Sequence, residues 1–343
     1  MRIRRVSSRT PGIARRRRGR GFSYEDHRGS PVTDQDTLDR ISSLAIPPAW
    51  SDVWICPFPE GHLQAVGTDA AGRRQYLYHE AWRARRDVQK FRRVERFAEA
   101  LPALRVECDR ALRKRGFPKE KSLALAARLL DEGSFRSGSA AYTRENGTFG
   151  LATIRRGHVK VEGQRITFDF TAKSGQRRVQ TIEHAQLARI VRSLKERRDG
   201  NHELLAYEQD GRWHDISSGD INAFLHDVTG DDFTAKDFRT WQATVLAATF
   251  LAAADVERDA SSFRRRAVTG VVKEVSAYLG NTPAVCRASY IDPRVIDRFL
   301  DGDTIAHAIR GVDVDASLDR KTRERIERAV RDLLRGSAHT AAA

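Results

Sequence analysis

Apolar and polar positions change their spacing along the chain, and the changes predict its architecture. Between residues 21 and 90, short alternating stretches such as Asp52-Val53-Trp54-Ile55-Cys56 and His62-Leu63-Gln64-Ala65-Val66 are punctuated by Pro59-Glu60-Gly61 and by Asp69 to Gly72. Alternation suits strands with one buried face, and Gly, Pro and Asp suit the turns between them. A small β-rich domain is expected over 21–92. From Tyr78 the spacing lengthens. Ala81 to Leu101 interleaves basic and acidic residues at helical period, and Ser122 to Glu132 puts Leu123, Ala126, Ala127 and Leu130 on one face before Gly133. Alternation returns in Val159-Lys160-Val161, Ile166-Thr167-Phe168-Asp169-Phe170 and Val179-Gln180-Thr181-Ile182, divided by Glu162-Gly163 and Ser174-Gly175. That pattern predicts a three-stranded antiparallel meander. Helices then resume: Thr240 to Ala254 is apolar nearly all round, as a buried central helix would be, and Ser317 to Leu334 is amphipathic. The expected class is α+β, a β-rich N-terminal domain followed by a larger, mainly helical one over 93–335 that carries the small sheet. Arg15 to Arg18 form a like-charge run, so residues 1–20 are expected to be a disordered basic tail, and 336–343 a frayed one.

Charge narrows the function. Lys and Arg number 61 against 46 Asp and Glu, a net +15. Basic side chains gain by displacing counterions from phosphates, so a polyanionic partner, nucleic acid before any other, is expected rather than a merely solvated basic surface. The three cysteines, Cys56, Cys108 and Cys286, lie far apart with no CxxC pair. They predict neither a disulfide framework nor a cysteine zinc site, and suit a reducing compartment. The longest apolar run, Val245 to Ala254, is too short to span a bilayer, and no apolar segment follows the basic N-terminus. A cytoplasmic, nucleoid-associated protein without a membrane partner is expected. His202-Glu203-Leu204-Leu205-Ala206 lacks the second histidine of a zinc helix, Gly19-Arg20-Gly21 lacks the third glycine of a dinucleotide loop, and no Walker A loop occurs. No metal and no cofactor are therefore expected.

Four stretches carry candidate chemistry: Phe135-Arg136-Ser137-Gly138; Phe170-Thr171-Ala172-Lys173-Ser174-Gly175; Lys236-Asp237-Phe238-Arg239-Thr240; and Leu279-Gly280-Asn281 followed by Ser289-Tyr290. In order and spacing they resemble the type IB DNA topoisomerase family, in its poxviral and bacterial branch, over roughly residues 21 to 335. The resemblance implies two domains closing as a clamp on duplex DNA, and relaxation of supercoils through a transient 3'-phosphotyrosine, without ATP or an obligatory metal, by a protein able to work as a monomer. It makes Tyr290 the nucleophile and Lys173 the general acid that protonates the departing 5'-oxygen. Arg136 and Arg239 suit the non-bridging oxygens, because guanidiniums bind them bidentately and stay charged at any working pH. Asn281 stands where poxviral relatives have His; it can donate a hydrogen bond to the transition state but carries no charge. Gln75, Tyr76 and Tyr78 resemble the family's DNA-contacting stretch, and Tyr142 matches another contact. Ser139 departs from the base-reading Lys of poxviral members. The nearest alternative is a tyrosine recombinase or integrase, which shares the Arg, Lys, Arg, Tyr chemistry but usually has His three residues before the second Arg, where this chain has Lys236. A DNA-binding protein with a decayed site is a further alternative, opposed by the complete residue set.

Overall fold

The computed structural model describes residues 2–254, 261–313 and 318–336. The chain divides after Arg92 into two compact units. In the first, β1 (Ile13–Arg18), β2 (Gly21–Glu25), β3 (Ser51–Ile55), β4 (Leu63–Thr68) and β5 (Arg74–Tyr78) form one antiparallel sheet in the order β2-β1-β3-β4-β5, joined by helix α1 (Gln35–Ser43). Ile13, Ile41, Val53, Ile55 and Ala65 make its core.

The expected disordered tail is therefore corrected: Arg15 to Arg18 lie inside β1, paired with Tyr24 through Gly21. Successive strand residues point to opposite faces, so the charges separate instead of repelling. Arg15 donates to the carbonyl oxygens of Ile46, Pro47 and Trp50 at 3.2, 3.0 and 2.7 Å and lies over the Phe22 ring, while Arg16 pairs with Glu25 at 2.9 Å. At the other end, Gly336 caps the last helix, and residues 337–343 of the expected frayed tail lie outside the described residues.

Helix α2 (Glu80–Ala111) begins in the first unit and ends in the second. There it is followed by α3 (Lys119–Gly133), α4 (Ala140–Asn146), the meander β6 (Val159–Glu162), β7 (Arg165–Thr171) and β8 (Arg177–Glu183), and α5 (Ala185–Glu196). A hairpin not expected from the sequence, β9 (Ala206–Gln209) and β10 (Arg212–Asp215), precedes α6 (Ser218–Thr229), α7 (Ala235–Ala253), α8 (Ser261–Leu279), α9 (Pro283–Ser289), α10 (Pro293–Asp301), α11 (Ala306–Ile309) and α12 (Arg320–Arg335). Ser317, the expected start of the last helix, is outside the described residues; Asp319 caps α12 by accepting from the Lys321 and Thr322 amides.

Helix α7 is the central one. Its Trp241 and Phe238 are 1% exposed, and Phe97 of α2 meets Phe238 edge-on at 4.7 Å. Burying an aromatic of this size contributes about 1.5–3 kcal/mol. Arg105 of α2, equally buried, is held by Asp131 of α3 at 2.9 Å and Glu327 of α12 at 2.7 Å, and Arg323 and Arg128 also bond Asp131. Burial alone would lower the Arg105 pKa, but the two carboxylates raise it well above the ordinary range. This network joins three helices through paired charges.

Candidate active site

The candidate residues are presented by helix ends and by one turn. After α3 the chain turns at Ser134, in the left-handed region at φ 50°, and Phe135 drops into the core against Phe168 at 4.8 Å. Arg136 follows, its carbonyl accepting from the Leu151 amide at 2.8 Å and that of Ser137 from Ala152 at 2.7 Å. Gly150 presses on Gly138 so closely that a Cβ on Gly150 would lie 2.4 Å from the Gly138 nitrogen. The backbone bearing Arg136 is thus clamped, and preorganised donors need such a clamp.

Arg239 sits near the start of α7, 2% exposed. Asp237 fixes that start: its carboxylate accepts from Thr234 N at 2.8 Å and from Arg93 at 3.0 Å. The Arg239 guanidinium donates to the carbonyls of Ser134 and, at 2.9 Å, of Leu279. Arg136 donates to the carbonyl of Gly280 at 2.8 Å and to Asn281 Oδ1 at 2.6 Å. Both arginines thus end on the C-terminus of α8. A helix terminus leaves carbonyls without intrahelical partners and carries partial negative charge, which suits cations. Gly280, at φ 62°, makes the turn, and Asn281 N bonds back to the Ser276 carbonyl at 2.9 Å. Thr282 then caps α9 with Pro283 in its first turn, as the sequence predicts.

Tyr290 ends α9, half-buried. Its carbonyl accepts from Thr244 Oγ1 of α7 at 3.3 Å, and the Arg239 guanidinium carbon lies 5.3 Å from its ring centroid. The fold therefore gathers Arg136, Arg239, Asn281 and Tyr290, which are up to 154 residues apart by numbering (290 minus 136).

A third arginine joins them. Arg178 of β8 donates to Gln180 Oε1 at 2.9 Å, and its like charge acts on Arg239. The sequence carries a signal for it: Arg178 occupies an inward position of a strand, in the row of Gln180 and Ile182. Among the described residues no carboxylate pairs with Arg136, Arg178 or Arg239. Burial lowers the pKa of all three. For Arg239, burial first and then Arg136 bring it to about 10, with Tyr290 opposing, so it stays charged at neutral pH. Arg105, as deeply buried, has two acids; these three have none. Uncompensated charge in a cleft marks a functional site more often than a structural one. Buried Arg239 Nε, Arg178 Nε and Asn281 Nδ2 also have no hydrogen-bond partner. The adjoining cleft, about 470 Å³, is lined by Arg136, Gln176, Arg178, Tyr278, Gly280 and Asn281 among others.

Lys173 is not gathered with them. It lies exposed on the turn between β7 and β8, where Ser174 adopts φ 68°. Tyr142 is exposed on α4. In the first unit, Tyr76 and Tyr78 are exposed on one face of edge strand β5 and stack 6.3 Å apart, whereas Gln75 points to the other face and bonds Asp69 at 2.8 Å. Those three do not form one cluster.

Among the described residues no helix is long and apolar enough to cross a membrane. Comparison with known proteins agrees with the geometry. Residues 79–301 match the catalytic core of eukaryotic DNA topoisomerase I, and residues 21–69 match the N-terminal domain of bacterial DNA topoisomerase IB. DNA topoisomerase 1B of Acanthamoeba polyphaga mimivirus is 29% identical over 289 residues, covering 82% of this chain and 85% of that protein. DNA topoisomerase 1B of vaccinia virus (strain Copenhagen) is 26% identical over 151 residues, 42% of this chain and 48% of that one. DNA topoisomerase 1 alpha of Arabidopsis thaliana is 27% identical over 128 residues, 37% of this chain and 13% of that one. With most of its length matched by the catalytic core and a further stretch by the N-terminal domain, the chain belongs to the type IB DNA topoisomerase family.

Proposed function

We propose that this enzyme relaxes supercoiled duplex DNA by cutting one strand at Tyr290, letting the free end rotate, and resealing it. The Tyr290 oxygen attacks phosphorus, the bond to the 5'-oxygen breaks, and a 3'-phosphotyrosine forms. Arg136 and Arg239 hold the non-bridging oxygens, on which charge accumulates in the transition state. Asn281 turns Oδ1 to Arg136 and keeps its Nδ2 donors for the phosphate. Lys173, carried on an exposed turn that DNA can reach, gives its proton to the 5'-oxygen, since an alkoxide leaves poorly; such catalysis is worth about 10² to 10⁴-fold. In resealing, the 5'-hydroxyl returns the proton and displaces Tyr290. Because one phosphodiester is exchanged for another, no ATP is consumed. The two domains close around the duplex, the exposed Tyr76, Tyr78 and Tyr142 contacting it, and one chain suffices in the cytoplasm.

The observation that carries this reading is the pair of acid-free arginines, Arg136 and Arg239, beside Tyr290. The test is relaxation of a supercoiled plasmid without ATP and with EDTA, followed by a denaturing gel for the covalent adduct. Relaxation with adduct formation is expected. Recombined products without relaxation would favour the recombinase reading.

A further inference from the structure

One cation of the cleft has no part in the steps above. Arg178 stands on the inward row of β8, opposite Phe170 across the sheet, where its neighbours in the row pack toward the core. Its outward neighbour Arg177 is neutralised by Asp169 at 2.6 Å. Arg178 has only the neutral Gln180, its buried Nε has no partner, and its Nη1 would meet a Cβ on Gly280 at 3.0 Å, so it lies against the end of α8. A half-buried guanidinium with an idle donor, next to two like charges, is costly unless an anion completes it. The three arginines are also not equivalent. Tyr290 acts on Arg136 and Arg239, whereas the phenol that acts on Arg178 is Tyr278 of α8, which lines the same cleft. Arg178 is offset from the nucleophile along the cleft wall.

We propose that Arg178 binds a second phosphate of the cleaved strand, adjacent to the one attacked by Tyr290. The bound strand then spans the α8 terminus, its scissile phosphate on Arg136 and Arg239 and its neighbour on Arg178. Gly280 lets backbone and guanidinium meet at that point. This assignment rests on the cleavage reading of the site.

The test replaces single phosphates around a mapped cleavage position by uncharged methylphosphonates and measures single-turnover cleavage by the wild type, Arg178→Gln and Arg178→Lys. One phosphate next to the scissile one should, when neutralised, slow the wild type about tenfold to a hundredfold, the value of one charge-assisted hydrogen bond. The same replacement should slow Arg178→Gln less than about twofold, the contact being already lost, and Arg178→Lys should recover part of the wild-type rate. Neither variant should melt below the wild type, since no acid partner is lost and Arg178→Gln removes an uncompensated charge. Equal penalties for wild type and Arg178→Gln at every position would overturn the assignment. So would restoration of Arg178→Gln by a 5'-sulfur leaving group, which would make Arg178 a strut for the Lys173 turn. A wild type that forms no adduct would instead refute the cleavage reading itself, and this assignment with it.

Discussion

Replacing Asn281 by aspartate should stabilise the protein and inactivate it at once. The substitution keeps the side-chain shape and places a carboxylate oxygen where Oδ1 now stands, 2.6 Å from Arg136 Nη2. Unit charges about 4 Å apart attract by about 4 kcal/mol at an effective dielectric near 20. Partial exposure and desolvation of the new charge remove most of that, leaving about 1 kcal/mol. For a domain of this size the melting temperature should rise by about 2–4 °C. The introduced carboxylate has its folded pKa lowered by Arg136 below the unfolded value of about 3.9. The gain is therefore present above that value and disappears as pH falls through the lower folded pKa. Cleavage goes the other way. The Nδ2 donor is lost, which for an oxyanion contact costs about 10² to 10³-fold, and Arg136 is neutralised as well, so the total should exceed about 10³-fold. Asn281→Ala should lose the donor alone, about 10²-fold, and should melt lower because Arg136 loses an acceptor. Calorimetry at neutral pH and single-turnover cleavage decide the matter. A lower melting temperature for Asn281→Asp than for Asn281→Ala, or faster cleavage, would refute the view of the site as an uncompensated cluster.

Tyr290→Phe should bind duplex DNA like the wild type yet give no adduct on denaturing gels; an adduct would move the nucleophile elsewhere, Tyr278 being the first candidate. Lys173→Ala should cut poorly, and a bridging 5'-sulfur should restore it far more than it restores Arg136→Ala or Arg239→Ala, because a thiolate leaves without a proton; failure to restore any of the three would leave Lys173 an electrostatic contact. Affinity for uncut duplex should fall steeply with salt, by roughly 0.9 in the log–log slope per phosphate neutralised, and a flat response would contradict the enclosing clamp. Gly280→Ala, strained at φ 62°, should cost about 1–2 kcal/mol of stability and slow cleavage, and unchanged melting would show that this turn relaxes freely.

What the sequence disclosed was mostly local. The break at Asn281-Thr282-Pro283 could be read because a threonine cap and a proline at the first helical turn act within four residues. The meander was legible because its alternation and its turns are both short-range. Strand β1 was not, since four successive arginines hide its alternation even though the strand that orders them, Gly21–Glu25, follows at once. The hairpin β9–β10 was passed over although Asp210-Gly211 is a good turn, its strands being four residues each. At the site, Arg136, Arg239 and Tyr290 were found from motifs, but nothing local says that two guanidiniums finish on the carbonyls of one helix. Arg178 was missed because a charged residue beside a turn reads as surface unless the inward row of its strand is followed. Gln75 shows the converse: adjacent to Tyr76 in sequence, it faces away from it and is occupied by Asp69.

The buried network around Arg105 sets an order of events during synthesis. Arg105 meets Asp131 only 26 residues later but Glu327 after 222. Contacts of such separation form late and slowly, while domains made first fold first. The β-rich first unit has all its strands long before then. The arginine-bearing half of the cleft can assemble around α3 and the meander, but α2 keeps one of its two acids missing until α12 is made. Tyr290 is also made after Arg136, Arg178 and Arg239, the arginines of the site. A growing chain thus acquires the arginines of the cleft before the tyrosine proposed as nucleophile, and α12 completes the core after both.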